Sequence, residues 1–543
     1  MSPATATLWR WRRFAVLFMA LWAVLSMLGG CSSLPRGVER PVSHALAAPE
    51  NTPLGALVQQ RRAEAGAKHG SGFTLLSGPQ AAYGSRLALV EAAQQTLDLQ
   101  YYAIHADASS ERLLLGVVAA ARRGVRVRVL LDDFHSTGRN AQVMRLAFEP
   151  NIEMRMFNPL TGARGSVLGR AISALADFDR VQQRMHNKLF IADNMAGVAG
   201  GRNLGDAYFG NAESGNFVDL DVLAVGPIVQ ELSRSFDSYW NDQRAYPVQS
   251  LITREELDRL RAQTPSVEPL PVSTAPGLID PEALTTQRAR AWDHKPLDLA
   301  SARFVWAPAV VMADHPEKIP SENGPPPPAE AAASVVDGLL TLIGQARRDL
   351  LIVSPYFVPG PDMKAAFAAA RARGVRVQVL TNSLASNDAP LAHAGYARHR
   401  EDLLAMGVEL YELRSEQAGL RSAIGSAAGG STGSSRAMLH TKLLLVDGRI
   451  VVVGSMNIDP RSQKHNTEIA LLIVSTELAR RTATRIDPAM QERAWRVERT
   501  DDGLVWRAPR GSGLDDATSE PDASLPLRLM LKLLGPLAPD HLL

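Results

Sequence analysis

Cysteine is nearly absent: the 543 residues contain one, Cys31. An intramolecular disulfide framework is therefore excluded, and the fold must hold by core packing even in an oxidising compartment. A charge excess of either sign is missing too. Lys and Arg number 58 against 56 Asp and Glu, a formal +2, so no global basic field marks a nucleic-acid binder. No apolar run is comfortably long enough to cross a bilayer, which takes about 20 residues; residues 14–28 fall short. Beyond the motifs below, the remaining histidines form no spaced ligand cluster, so neither a metal nor a cofactor is expected. What is present is globular: 46% hydrophobic and 21% charged residues support a substantial core, and the length suggests about two to four domains.

The first 30 residues are set apart from the fold. Arg10, Arg12 and Arg13 precede the apolar run, which ends in Leu28-Gly29-Gly30-Cys31. This reads as an export signal, and the tetrapeptide resembles the lipobox of bacterial lipoproteins, in which the cysteine is lipidated. The plainer alternative is an uncleaved anchor with an unmodified thiol. Cleavage would remove three arginines and no acid, taking the formal charge from +2 to −1. The expectation is a lipoprotein of the bacterial cell envelope, anchored on the periplasmic side. Ser32 favours the outer membrane over the inner.

The chain repeats itself. Residues 97–102 alternate like a strand, a helical stretch follows from about 110 to 123, and Gly124-Val125-Arg126-Val127-Arg128-Val129-Leu130-Leu131 reads as a second strand. Residues 350–357, a helix over 362–373 and Gly374-Val375-Arg376-Val377-Gln378-Val379-Leu380 repeat that order. The spacing predicts β-α-β crossovers with glycine ending each helix, and two similar domains. The expected division is a signal at 1–30, a tether at 31–70, domain 1 at 71–262, a linker at 263–300, domain 2 at 301–500 and a flexible tail at 501–543. Residues 264–281 and Gly324-Pro325-Pro326-Pro327-Pro328 read as linker, and 424–435 as a mobile loop. Apolar residues 525–534 fit either a membrane surface or docking on the domain.

Each half carries one motif. The first is His186-Asn187-Lys188-Leu189-Phe190-Ile191-Ala192-Asp193 followed by Gly200-Gly201-Arg202-Asn203. The second is His440-Thr441-Lys442-Leu443-Leu444-Leu445-Val446-Asp447 followed by Gly454-Ser455-Met456-Asn457. The spacings are identical. On a strand His and Lys at i and i+2 share a face, Asp447-Gly448 suggests a hairpin turn, and the glycines let a phosphate approach the backbone. Such a set suits a phosphodiester. Lysines with Asn203, Ser455 and Asn457 can hold non-bridging oxygens. One imidazole can attack phosphorus, and the other can protonate the leaving alcohol and deprotonate the incoming one. Asp219 and Glu468, in similar places after the two motifs, are expected to fix the histidine tautomers. Asp193 and Asp447 complete the motifs, either in the catalytic set or as structural partners of a base or turn.

The paired motifs resemble the phospholipase D superfamily, whose two half-sites meet at a pseudo-twofold axis. Gln100-Tyr101-Tyr102, Asp132-Asp133, Met185-His186-Asn187-Lys188, Gly205-Asp206-Ala207-Tyr208-Phe209, Ser354-Pro355-Tyr356-Phe357-Val358-Pro359 and Thr381-Asn382-Ser383 extend the likeness to bacterial cardiolipin synthases, in particular their C type. The resemblance covers roughly residues 75–500. It implies an α/β fold of two tandem phospholipase D-like α/β/α domains with mixed sheets. It also implies catalytic residues His186, Lys188, Asp193, His440, Lys442 and Asp447, a phosphohistidine intermediate, and phospholipid substrates at a membrane. Phosphatidylethanolamine would be the donor to phosphatidylglycerol. Gly201 departs from the serine common in the motif, which removes one hydroxyl contact to phosphate. Hydrolysis, with water as acceptor, uses the same intermediate and stays open; a nuclease or a non-catalytic lipid-binding lipoprotein is a weaker reading, and no nucleic-acid partner is expected.

Two blander readings belong here. Arginines 122, 123, 126 and 128 are expected to form a solvated helix end and strand face. Tyr101, Tyr102, Tyr356 and Phe357 fit an acyl pocket or the core.

Overall fold

The computed structural model describes residues 34–136, 138–160, 178–212, 215–262, 286–320, 334–414, 437–537 and 539–540. The leader with Cys31, the linker at 264–281, the proline run and the loop at 424–435 lie outside the described residues.

Strands of the first half, in chain order, are β1 (Gly72–Ser77), β2 (Thr96–Tyr101), β3 (Arg126–Asp132), β4 (Ile152–Phe157), β5 (Leu189–Ala192), β6 (Ala196–Gly200), β7 (Asn216–Val218), β8 (Leu220–Val225), β9 (Ala245–Pro247) and β10 (Val305–Trp306). Those of the second are β11 (Ala309–Ala313), β12 (Asp349–Val353), β13 (Arg376–Asn382), β14 (Glu409–Leu413), β15 (Ala437–Leu439), β16 (Leu443–Val446), β17 (Ile450–Gly454), β18 (Ile469–Val474), β19 (Ala494–Thr500) and β20 (Gly503–Arg507). They build two nine-stranded mixed sheets, ordered β10-β1-β8-β6-β5-β2-β3-β4-β9 and β11-β18-β17-β16-β12-β13-β14-β19-β20. From β1 to β9 and from β11 to β19 the two sheets match strand for strand. Every pairing direction repeats, with β2-β3-β4 and β12-β13-β14 parallel and the remainder antiparallel. These are the two similar α/β domains with mixed sheets that the internal repeat predicted.

The crossovers follow the pattern legible in the sequence. Helix Ala108–Arg122 joins β2 to β3 and helix Pro361–Ala372 joins β12 to β13. Each gives way to a glycine with left-handed backbone, Gly124 at φ 99° and Gly374 at φ 82°, where a Cβ would be strained. The β5–β6 and β16–β17 hairpins turn on Asp193-Asn194 and Asp447-Gly448, all four at positive φ. Two consecutive left-handed residues match the twist of the flanking strands.

The inner faces of both sheets share one apolar core. Phe73, Leu189 and Val222 from the first sheet meet Leu351, Val453 and Leu471 from the second in a single cluster. Separate clusters fill the outer faces. The halves are therefore packed against each other, and their facing strand ends lie close enough to form joint structure.

Several sequence expectations change. The tether is not free: residues before helix Pro53–Glu64 lie on domain 1, where Ser43 O accepts from Arg128 Nη1 (3.0 Å) and Pro41 O from Arg155 Nη2 (2.6 Å). Arg128 is not solvated but fully buried, paired with Asp98 (2.7 Å) and Asp237 (2.8 Å); a charge this deep is tolerable only when paired. Within the expected linker, Arg288 pairs with Glu111 of domain 1 (2.9 Å), and β10 extends the first sheet, so the boundary falls between β10 and β11 rather than at 301. The tail is not loose. β20 hairpins onto β19, and helix Leu525–Leu534 buries Leu527 against Leu384 and Ala385. No described helix is long and apolar enough to cross a membrane.

Candidate active site

Two short stretches of backbone pairing between the halves build the site. The residues before β5 meet the strand entry of β18: His186 N–H donates to Thr467 O and Thr467 N–H to Arg184 O, both at 2.9 Å. On the other side β15 runs parallel to β7, with Leu439 opposite Val218, and His440 N–H donates to Val218 O (2.8 Å). Each histidine is thus laid beside the residue next to an acid of the other half. The ends of the central strands clamp the approach. Asp132 accepts from Met185 N–H (2.9 Å), and Asn382, its counterpart, accepts from Leu439 N–H (2.9 Å).

The imidazole–acid pairs are consequently crossed between halves. His186 Nδ1 lies 2.9 Å from Glu468 Oε2, and His440 Nδ1 lies 2.7 Å from Asp219 Oδ2. An ionised carboxylate only accepts, so each Nδ1 carries the proton and each Nε2 keeps its lone pair. Glu468 is itself held by Ser455 Oγ (2.5 Å) and Ser462 Oγ (2.9 Å). Asp219 accepts from Leu220 N–H (2.8 Å). Lys188 Nζ donates back to His186 O (2.5 Å) and Lys442 Nζ to His440 O (2.7 Å), which fixes each ammonium beside its own imidazole.

Four potential cations share this buried space, and electrostatics responds accordingly. Burial, joined by the lysines, pushes His186 down to about 4; burial, Lys442, Lys188 and His186 push His440 well below the usual imidazole range. Burial lowers Lys188 to about 7 and Lys442 to about 8; the site acids offset part of this at both, and Lys442 lowers Lys188 further. Burial raises Asp219, whereas at Glu468 burial is outweighed by His186, Lys188 and Ser455, and the carboxyl falls below its ordinary value. A pocket that pays desolvation on so much positive charge is poised for an anion.

Aromatic rings wall the pocket. Tyr102 lies edge-on to His186 at 5.1 Å; Tyr208 and Phe217 lie 5.4 and 4.9 Å from His440. Lys188 Nζ sits 5.5 Å over Tyr102, and Lys442 Nζ 6.0 Å over Tyr356, whose hydroxyl bonds Asp388 (2.9 Å). Tyr101 and Phe357 are core; only Tyr102 and Tyr356 of that set reach the pocket.

The structure brings together His186, Lys188, His440, Lys442, Asp219 and Glu468. It does not bring in Asp193 or Asp447. Asp193 lies in the turn just past β5, seven residues beyond His186, about 20 Å at strand rise. Asp193 accepts from the N–H groups of Gln94, Gln95 and Thr96, and Asp447 from those of Arg347, Arg348 and Asp349. Of the two readings of these aspartates, the hydrogen bonds favour the structural one: they clamp the start of β2 and β12. Ser455, expected to hold phosphate, donates its hydroxyl to Glu468 Oε2 (2.5 Å). Asn203 bridges Ala103 N–H (3.2 Å) and Tyr208 Oη (3.0 Å), while Asn457 keeps a buried Oδ1 without a partner among the described residues. Gly201 has a further role. A Cβ there would stand 2.7 Å from Asp219 Oδ2, so the missing serine makes room for the acid.

Sequence reasoning left His105 and His135 unassigned. His135 lies 4.9 Å from Tyr102, and burial with His105 and His186 pushes it down to about 3. Its position, three residues past the end of β3, was the available signal. Among the described residues no three His, Cys, Asp or Glu groups are arranged to hold a metal.

Comparison with known proteins agrees with this geometry. A family model described as "Cardiolipin synthase, PLD-like domain" matches residues 87–240 and 339–489. Cardiolipin synthase C of Escherichia coli (strain K12) is 35% identical over 473 residues, spanning 85% of this chain and 94% of that protein. Cardiolipin synthase A of Pectobacterium carotovorum is 26% identical over 420 residues, 76% of this chain and 68% of that one. The crystal structure of phosphatidylserine synthase from Haemophilus influenzae superposes with a TM-score of 0.53 at 15% identity, covering 89% of this chain and 99% of that one, a likeness of fold.

Proposed function

Because this chain belongs to the family of cardiolipin synthase, phospholipase D-like domain proteins, we propose that it transfers a phosphatidyl group to phosphatidylglycerol and so makes cardiolipin. The donor in this reading is phosphatidylethanolamine. The observation that carries it is the crossed pairing of His186 with Glu468 and His440 with Asp219 around two buried lysines.

The donor's phosphodiester replaces the mutual repulsion of Lys188 and Lys442 with attraction. One Nε2 attacks phosphorus. A P–N bond forms, the P–O bond to the head-group alcohol breaks, and the second imidazole gives that alcohol its proton. This second imidazole must be protonated first, which the anionic substrate favours by raising its pKa. It then takes the proton from a glycerol hydroxyl of phosphatidylglycerol, whose oxygen attacks phosphorus and breaks the P–N bond. Glu468 and Asp219 hold both rings in register throughout, as orienting acids do in other histidine-based sites.

The test is the purified protein with phosphatidylglycerol, with and without phosphatidylethanolamine, and products read by mass spectrometry. Cardiolipin supports the transferase; phosphatidic acid alone shows hydrolysis, and no product from either mixture ends the proposal. We place the protein in the bacterial envelope, lipidated at Cys31. A diacyl-thioether mass on that cysteine would support this, and a free thiol on a retained leader would refute it.

A further inference from the structure

Helix Leu525–Leu534, LPLRLMLKLL, contains no acid. Its two faces are unequal. Leu527 is fully buried with Leu384, Ala385 and Ala523, whereas Leu525, Leu529 and Leu533, each four residues apart and so on one face, are 67%, 51% and 73% exposed. Exposed leucines in an unbroken row are not ordinary surface.

The helix also has a specific seat. Leu384 and Ala385 follow β13 as Phe134 and His135 follow β3; the helix covers Leu384 and Ala385, whereas their counterpart Phe134 is 38% exposed. That loop belongs to the pocket: Asn382 at its start holds Leu439, the neighbour of His440, and Asp388 at its end holds Tyr356. The helix therefore sits, through Leu527, on a loop whose two ends touch the pocket, and its exposed leucine row lies on the face away from that seat. Leu391, on the adjoining helix Pro390–Ala397, is 45% exposed, and Phe134, stacked on Tyr102 across the pocket, is 38% exposed.

We propose that this helix is an interfacial anchor that seats the mouth of the site on a phospholipid bilayer with anionic head groups. The leucine row enters the acyl boundary while Lys532, exposed, and Arg528 meet head-group phosphates. The bilayer is the occupant because of charge and place. The helix offers only cations beside its apolar row, and a two-chain lipid whose phosphorus enters a pocket of lysines and imidazoles must leave its acyl chains in an apolar medium at the mouth. This second argument rests on the proposed function.

Two variants of the full chain test it, with vesicles of phosphatidylglycerol and phosphatidylethanolamine. In Leu529→Trp, lipids brominated on their acyl chains quench the added indole. In the triple variant Leu525→Asp, Leu529→Asp, Leu533→Asp, which alters exposed positions only, turnover on vesicles falls at least tenfold while turnover of a short-chain, monomeric phosphatidylglycerol is retained. An unquenched indole, or a triple variant fully active on vesicles, overturns the anchor. If the unaltered protein turns over neither substrate, the functional reading fails, and the quenching still decides whether the helix enters the bilayer.

Discussion

Glu468 Oε2 lies 2.9 Å from Nδ1 of His186, a residue 282 positions earlier in the other half. With Asp219 serving His440 in the same way, neither half owns a complete histidine–acid pair. Symmetry is kept in the strands and exchanged at the site.

Glu468→Gln and Asp219→Asn should therefore each cripple the histidine of the opposite half. An amide partner no longer enforces the Nδ1–H tautomer or stabilises the imidazolium, and a loss in kcat of about 10³-fold or more is expected, with the melting temperature moving far less. Steady-state kinetics beside calorimetry would show it. Equal loss of both, or no loss, contradicts the assignment.

Asp193→Ala should behave in the reverse way. Three backbone N–H groups lose a charged acceptor, at a cost of about 2–4 kcal/mol in stability. The chemistry, about 20 Å away along β5, keeps kcat within a few-fold well below the melting temperature. Denaturant unfolding paired with kinetics separates the two effects.

Gly201→Ser, which restores the commoner residue, should lower activity. Its Cβ would meet Asp219 Oδ2 at 2.7 Å and push the acid from His440. About a tenfold or greater drop in kcat is expected, since displaced orienting groups typically cost that much. Unchanged kcat would mean Asp219 has another place to go.

Burial holds the ammonium groups of Lys188 near 7 and Lys442 near 8, and a bound phosphodiester raises both. Binding a soluble phosphodiester should take up protons from the buffer around pH 8, and the lysine share should vanish as pH falls well below 7. Calorimetry in two buffers of different ionisation enthalpy measures it. The stability sign is opposite to that of a favourable ion pair. The unfolded chain binds more protons between the folded and free lysine values, so the free protein gains stability as pH rises through about 7 toward about 10. Lys188→Met should remove the Lys188 share of that slope, leaving that of Lys442, and raise the melting temperature at neutral pH by about 2 °C or more while abolishing turnover.

Much of this was legible in the chain because it is local. Gly124 and Gly374 marked helix ends, and Asp447-Gly448 marked a hairpin. The His–Lys spacing placed each pair on one side of a strand entry. What stayed hidden depended on tertiary pairing. That Glu468 serves His186 follows from Met185 pairing with Thr467, which no spacing reveals. Arg128 read as solvated because its partners, Asp98 and Asp237, come from two other elements. That the Ser455 hydroxyl donates to Glu468 is equally invisible in the spacing of its motif. The apolar stretch 525–534 was visible, but the seat of Leu527 on Leu384 and Ala385 was not.

The central claim is a single composite site that passes one phosphatidyl group through one imidazole. Rapid quenching of the protein with phosphatidylethanolamine, then peptide mass spectrometry, tests it most directly. One adduct per chain is predicted, confined to either His186 or His440 and absent when that residue is alanine. No adduct on either histidine, or one on each in the same chain, would contradict the account.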